Sequence, residues 1–173
     1  MADIIERHMG QAFYRLAPVL QRVHSGNIRL EGRVEVRHGG GLARLICKLF
    51  RFPPEGQNLP LRVDCRHSPD TMHWQRFFGG HEMVSHFHLS GRWIREKLGP
   101  LRFRFVAREQ EGGLRYDFQH TALFFLPIPQ FLGPQIDAYE YAKDGRYHFQ
   151  VEVKMLFVGP VIAYGGVCDL QAL

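Results

Sequence analysis

Cysteine is scarce here, and poorly placed for crosslinking. The three residues Cys47, Cys65 and Cys168 lie far apart and form no CxxC pair. An odd number of separated thiols argues against a disulfide framework and fits a reducing compartment. Long apolar runs are also missing. The most apolar stretch, Thr121 to Pro134, is broken by Pro127, Pro129 and Pro134. No run reaches the roughly 18–20 apolar residues that a spanning helix needs. The N-terminus MADIIERHMG carries acids and lacks an apolar signal core. These absences point to a cytoplasmic protein without a membrane span. There is no Gly-x-Ser-x-Gly elbow, Walker Lys-Ser/Thr pair or GxGxxG pattern, so the common hydrolase and nucleotide-binding signatures are absent. Basic and acidic residues alternate, as in Arg29-Leu30-Glu31, and no basic block accompanies the net charge of +5. A nucleic-acid partner is not expected, and Arg102, Arg104 and Arg108 read as a solvated outer stripe. No cofactor is indicated.

What the chain does have is phenylalanine, 14 in 173 residues. So many rings predict a broad aromatic core or a wide apolar cavity. The length fits a single domain, 1–173, able to build a core without staples.

Residues 3 to 24 have helical spacing, with Ile5, Met9, Phe13, Leu16, Leu20 and Val23 near one stripe and Pro18 either kinking it or starting a second short helix. Ile28 to Arg37 alternates like a half-buried strand. Leu42, Leu45, Ile46, Leu49 and Phe50 then follow an i, i+3, i+4, i+7, i+8 pattern, which predicts a helix buried along that stripe. Strand signals follow at Leu61–Arg66, Met72–Phe78, Glu82–Leu89, Arg92–Leu98, Leu101–Arg108, Leu114–Phe125, Ile136–Tyr141, Tyr147–Phe157 and Val161–Asp169, with a proline-rich loop from Pro127 to Pro134. Eight or nine strands joined by short turns form an antiparallel up-and-down meander. The expected fold is mainly β: a sheet bent into a barrel or half-barrel, with the N-terminal helical segments packing on or in it.

Alternation places several polar residues on apolar faces. Arg76 shares a face with Trp74 and Phe78, Ser85 with Met83 and Phe87, Glu96 with Ile94 and Leu98, Glu140 with Ile136 and Ala138, and Tyr164 with Ile162. A lone buried charge is costly, so Arg76, Glu96 and Glu140 should meet on the concave side beside Trp74, Ser85 and Tyr164. The group either braces sheet register or anchors a ligand. Glu82, His86 and His88 share a strand face that could hold a divalent metal, but it is the solvent face, and no metal is expected there. Cys47 falls on a helical apolar stripe and reads as core. Gly39-Gly40-Gly41 reads as a turn. The remaining histidines read as surface residues.

Trp74-Gln75-Arg76-Phe77-Phe78-Gly79-Gly80 with Ser85, Gly91, Glu96 and Gly99-Pro100 makes one half of an ordered set. Pro127-Ile128-Pro129, Leu132-Gly133-Pro134, Glu140, Asp144-Gly145-Arg146, Phe149, Gly159-Pro160, Tyr164 and Gly166 make the other. Together, from about Leu16 to Leu170, they resemble the bacterial domain of unknown function 4166 family. That family name carries no activity. Its members are also similar to a module fused behind NAD(P)-binding, saccharopine-dehydrogenase-like domains, which implies an NAD(P)-binding protein as a candidate partner.

The expected function is a small-molecule binding module. It would hold an amphipathic or apolar ligand whose polar end meets Arg76, Glu96 and Glu140. Two alternatives stay open: an enzyme using Glu96 or Glu140 as general acid/base beside Arg76, and a protein-docking accessory module presenting the loop Phe124 to Pro134.

Overall fold

The computed structural model describes residues 2–172. Short helical pieces lead the chain: α1 (Ile4–Met9), a 3-10 turn (Gly10–Arg15) and α2 (Pro18–Val23). The single helical stripe expected over residues 3 to 24 is thus cut in three. Gly10 leaves α1 at φ +56, a conformation that favours glycine, and Pro18 begins α2 at its first position rather than kinking a longer helix.

Eleven strands follow: the ten segments with strand signals and a short one that runs into the proline-rich loop. They are β1 (Ile28–His38), β2 (Gly56–His67), β3 (Thr71–Phe78), β4 (His81–Ser90), β5 (Trp93–Leu98), β6 (Leu101–Gln110), β7 (Gly113–Leu123), β8 (Leu126–Ile128), β9 (Gln135–Lys143), β10 (Arg146–Met155) and β11 (Gly159–Ala172). The helix α3 (Gly41–Leu49) lies between β1 and β2. Neighbouring strands pair antiparallel, and β1 pairs with β11 from Ile28↔Ala172 to His38↔Ile162, so the sheet closes. The result is a ten-strand barrel, with β8 paired to β7 outside the ring.

Closure brings backbones very near one another at the seam. A Cβ on Gly32 would lie 1.9 Å from the Val167 carbonyl oxygen, and one on Gly166 would lie 2.2 Å from that of Arg33. Only glycine permits that approach. Side chains alternate across the wall. Leu30, Val34 and Val36 are buried, while Arg33, Glu35 and Arg37 are exposed. The barrel is thus apolar inside and charged outside, the reverse of a membrane barrel. No helix is long and apolar enough to cross a membrane.

One end is plugged. Ile4, Ile5, Leu20 and Val23 are fully buried against the strands, each worth about 1.5–3 kcal/mol as an upper bound. Polar contacts pin the plug. Ala17 N–H donates to the Gly112 carbonyl at 2.8 Å, and His8 Nε2 accepts from Ala107 N–H at 3.0 Å.

The other end is different. The hydrogen-bond ladder between β7 and β9 runs only from Leu114↔Glu140 to Asp117↔Asp137, and beyond it β7 turns to β8. What was expected to be one loop from Pro127 to Pro134 therefore contains a strand edge. α3 also sits at this end, held by Gly39 N–H to the Val161 carbonyl at 3.0 Å. Its burial departs from expectation. Ala43 and Cys47 face the barrel, while Leu42, Leu45 and Leu49 are exposed. The i, i+3, i+7 leucines share a stripe, but packing against β1 and β11 uses the adjacent i, i+4 pair of small side chains.

Candidate functional site

The barrel encloses a cavity of about 210 Å3. That exceeds the ~150 Å3 known to stay dry and accept benzene in another protein. Its wall is mostly aromatic and aliphatic, and includes Phe78, Phe87, Phe103, Phe105 and Phe149. The abundance of phenylalanine goes chiefly into this wall. Arg76, Glu96, Tyr116, Glu140 and Tyr164 break the apolar lining.

Three of the expected polar residues form one chain of hydrogen bonds. Arg76 on β3 donates from Nη1 to Ser85 Oγ on β4 at 2.8 Å, and Ser85 donates to Glu96 Oε1 on β5 at 2.6 Å. Register explains the match. Arg76 pairs with Met83 and Glu96 with Phe87, so Ser85 lies diagonal to both on the inner face. The Arg76 guanidinium also sits 5.1 Å from the Trp74 ring centre, within cation–π range. Ser85 is fully buried, whereas Arg76 and Glu96 keep some accessible surface although both point inward. That surface is cavity wall. Burial pushes the Glu96 carboxyl up, opposed by the positive charge of Arg76 and the Ser85 hydrogen bond.

Glu140 does not join them. It belongs to a second group near the plugged end, where its Oε2 lies 2.6 Å from His24 Nε2 and its Oε1 accepts from the Tyr116 hydroxyl at 2.7 Å. Of the expected trio, the structure brings Arg76 and Glu96 together and holds Glu140 apart. His24 corrects the reading of the histidines as surface residues. It has no exposure at all, and its ring stacks on Trp74 at 5.6 Å. It lies just past α2, where the helical stripe had stopped at Val23, and no motif marks it. Tyr116 was legible in principle, because Leu114, Tyr116 and Phe118 alternate on one face. Burial and then Glu140 push its phenol well up. The two groups adjoin through Trp74, which touches both Arg76 and His24.

Trp74 also donates from Nε1 to His67 Nε2 at 3.0 Å. Burial, then the neighbouring His24, pulls the His67 imidazole down to about 4. Tyr164 lines the cavity edge-on to Phe78 at 5.7 Å, its phenol pushed up by burial with Arg76 opposing.

The remaining candidates lie elsewhere. Glu82, His86 and His88 are on the exposed outer face, where Glu82 accepts from the Gln75 side-chain amide. Gly39 precedes α3 and packs against β11, where a Cβ would meet the Pro160 carbonyl oxygen at 1.8 Å. Burial pushes all three thiols up, Cys168 to about 12, which leaves little thiolate for nucleophilic chemistry.

The sequence model of a domain of unknown function, DUF4166, matches residues 16–167. The chain belongs to this family. No curated protein matches it. The matched span of the DUF4166 domain holds every polar cavity residue described above, and the α1 part of the plug precedes it.

Proposed function

We propose that this DUF4166 domain binds a small amphipathic ligand, with the apolar part among the phenylalanines and an oxyanionic head at Arg76. One observation carries this reading. Among the described residues the Arg76 side chain makes a single hydrogen bond, to Ser85, in a cavity whose wall is mostly apolar. A guanidinium has five N–H donors in a planar fork, suited to a carboxylate or phosphate. Glu96 complements it. A carboxyl raised by burial is protonated more readily and can then donate to the same head group. Apolar walls with a few convergent polar groups are the usual make-up of a small-molecule site.

The chain has two tryptophans, Trp74 and Trp93, and only Trp74 lines the cavity. Trp93→Phe therefore leaves one reporter beside Arg76. Titration of that variant with a medium-chain fatty acid should change Trp74 emission saturably. Arg76→Met in the same background should weaken the acid by about tenfold or more, from the loss of a charge-assisted pair, and leave the matching alcohol nearly unchanged. Equal loss for acid and alcohol, or no saturable change with either, would refute an oxyanion site.

A second reading rests on Glu96 alone. A carboxyl with raised affinity for protons beside a fixed cation is the arrangement of a general acid/base. It predicts turnover of a bound ligand that Glu96→Gln abolishes while binding persists.

A further inference from the structure

Among the described residues, every large apolar side chain that is strongly exposed, except Tyr14, lies at the unplugged end of the barrel. They come from separate segments: α3, the β7–β8 turn with the first residue of β8, the β8–β9 loop and the β10–β11 turn. Phe125 is 89% exposed, Phe157 79%, Leu126 74% and Leu49 72%. Scattered exposed leucines need no explanation, but a crown of them at one end does. The crown surrounds the cavity, whose lining reaches Ile46 in α3, Phe50 and Phe52 after it, and Ile128 and Pro134 across from it.

Charge at this end is mainly basic. α3, the segment after it and the strand ends beside the turns carry Arg44, Lys48, Arg51, Lys97, Arg102 and Lys154, against Glu55 and Glu82 as acids. Arg44 lies 3.8 Å from Glu55, and Lys154 lies 3.2 Å from Glu152 at the end of the wall. Lys48, Arg51, Lys97 and Arg102 have no carboxylate partner among the described residues. The plugged end is mixed, with ion pairs such as Arg15 to Glu109 at 3.2 Å. On α3 the leucines Leu42, Leu45 and Leu49 form one stripe and Arg44 and Lys48 another, beside the stripe buried on the barrel. Apolar prongs flanked by lysine and arginine are what an anionic lipid surface accepts: apolar side chains enter the interface and basic ones meet the head groups.

We propose that the unplugged end docks onto an anionic phospholipid surface, with α3, Phe125 and Phe157 entering the interface and the cavity mouth facing the lipid. A lipid surface accommodates prongs from separate segments without a matched shape, and the basic ring selects its charge. The proposal stands apart from what the cavity holds, because its residues are on the rim and none is Arg76, Ser85 or Glu96.

The test is co-sedimentation of the whole chain with vesicles of phosphatidylcholine alone or mixed with phosphatidylglycerol. Binding is expected to the mixed vesicles only, and to weaken as salt screens the basic ring. Lys48→Glu/Arg51→Glu should lower the partition coefficient by at least about tenfold, given roughly fivefold for each basic residue at such a surface. Phe125→Asp/Phe157→Asp should abolish binding while thermal unfolding stays unchanged, since both side chains are exposed. No binding to mixed vesicles, equal binding to neutral ones, or full binding by the aspartate variant would overturn the proposal. Concentration-dependent self-association that the aspartate variant loses, without vesicle binding, would instead make this end an interface between copies of the chain. Trp74 emission with the fatty acid is read separately, so failure of the ligand site and failure of docking are distinguishable.

Discussion

Arg76 is joined to Glu96 by the hydroxyl of Ser85, which accepts from the guanidinium at 2.8 Å and donates to the carboxyl at 2.6 Å. The hydroxyl spans three adjacent strands and leaves the rest of the guanidinium facing the cavity. Ser85→Ala removes the bridge without adding bulk. We expect a loss of about 1–3 kcal/mol, the usual cost of unpairing buried polar groups. In a double-mutant cycle by urea unfolding, Ser85→Ala and Glu96→Gln should couple, while Ser85→Ala and Glu140→Gln should add independently.

The raised carboxyl of Glu96 gives a signed pH dependence. Its folded form takes up a proton at higher pH than its unfolded form, so its contribution to stability is greatest at low pH. That contribution falls as pH rises through the folded value. The stability of the wild type minus that of Glu96→Gln should therefore decline from acid toward neutral pH. A difference that rises over the same range would contradict burial as the dominant cause.

His67 has the opposite sign. Its folded value of about 4 lies below the ordinary 6.5, so the unfolded chain binds its proton first. Its neutral form stabilises the fold above about pH 6.5, and that stability is lost as pH falls toward 4, by up to about 3 kcal/mol. His67→Gln, which can still accept from Trp74, should flatten the loss of stability between those values.

His24 holds Glu140 in a fully buried contact at 2.6 Å. His24→Ala leaves the Glu140 carboxyl group with Tyr116 alone and should cost about 1–3 kcal/mol. His24→Leu combined with Glu140→Leu should recover part of the loss, because the Tyr116 hydroxyl is then the one member of the group left unpaired. Thermal melts of the two variants make the comparison.

Gly166→Ala tests the seam. Its Cβ would stand 2.2 Å from the Arg33 carbonyl oxygen, an atom of backbone that cannot swing aside. We expect the β1–β11 ladder to separate locally. Amide hydrogen exchange should then speed up along both strands before any change at β4 or β5, and unfolding should shift by several kcal/mol.

Much was legible in the sequence for a simple reason: alternation along a strand is a local property. Arg76, Ser85 and Glu96 could be assigned to inner faces one strand at a time, and a chain of short turns with one dry face implied a curved antiparallel sheet. The resemblance of the ordered motif set to its family could be read in the same way. Which inward residues touch is a matter of register, and register is set by hydrogen bonding across strands. That is why Glu140, equally inward by parity, stands with His24 and Tyr116 and not with Arg76. His24 lay beyond sequence reasoning because its burial comes from a plug folded against β9 and Trp74, contacts more than forty residues away in the chain. The same holds for α3. Its leucine stripe follows from helical spacing, but which stripe faces the barrel depends on how α3 packs on β1 and β11, and tertiary packing left the leucines outside.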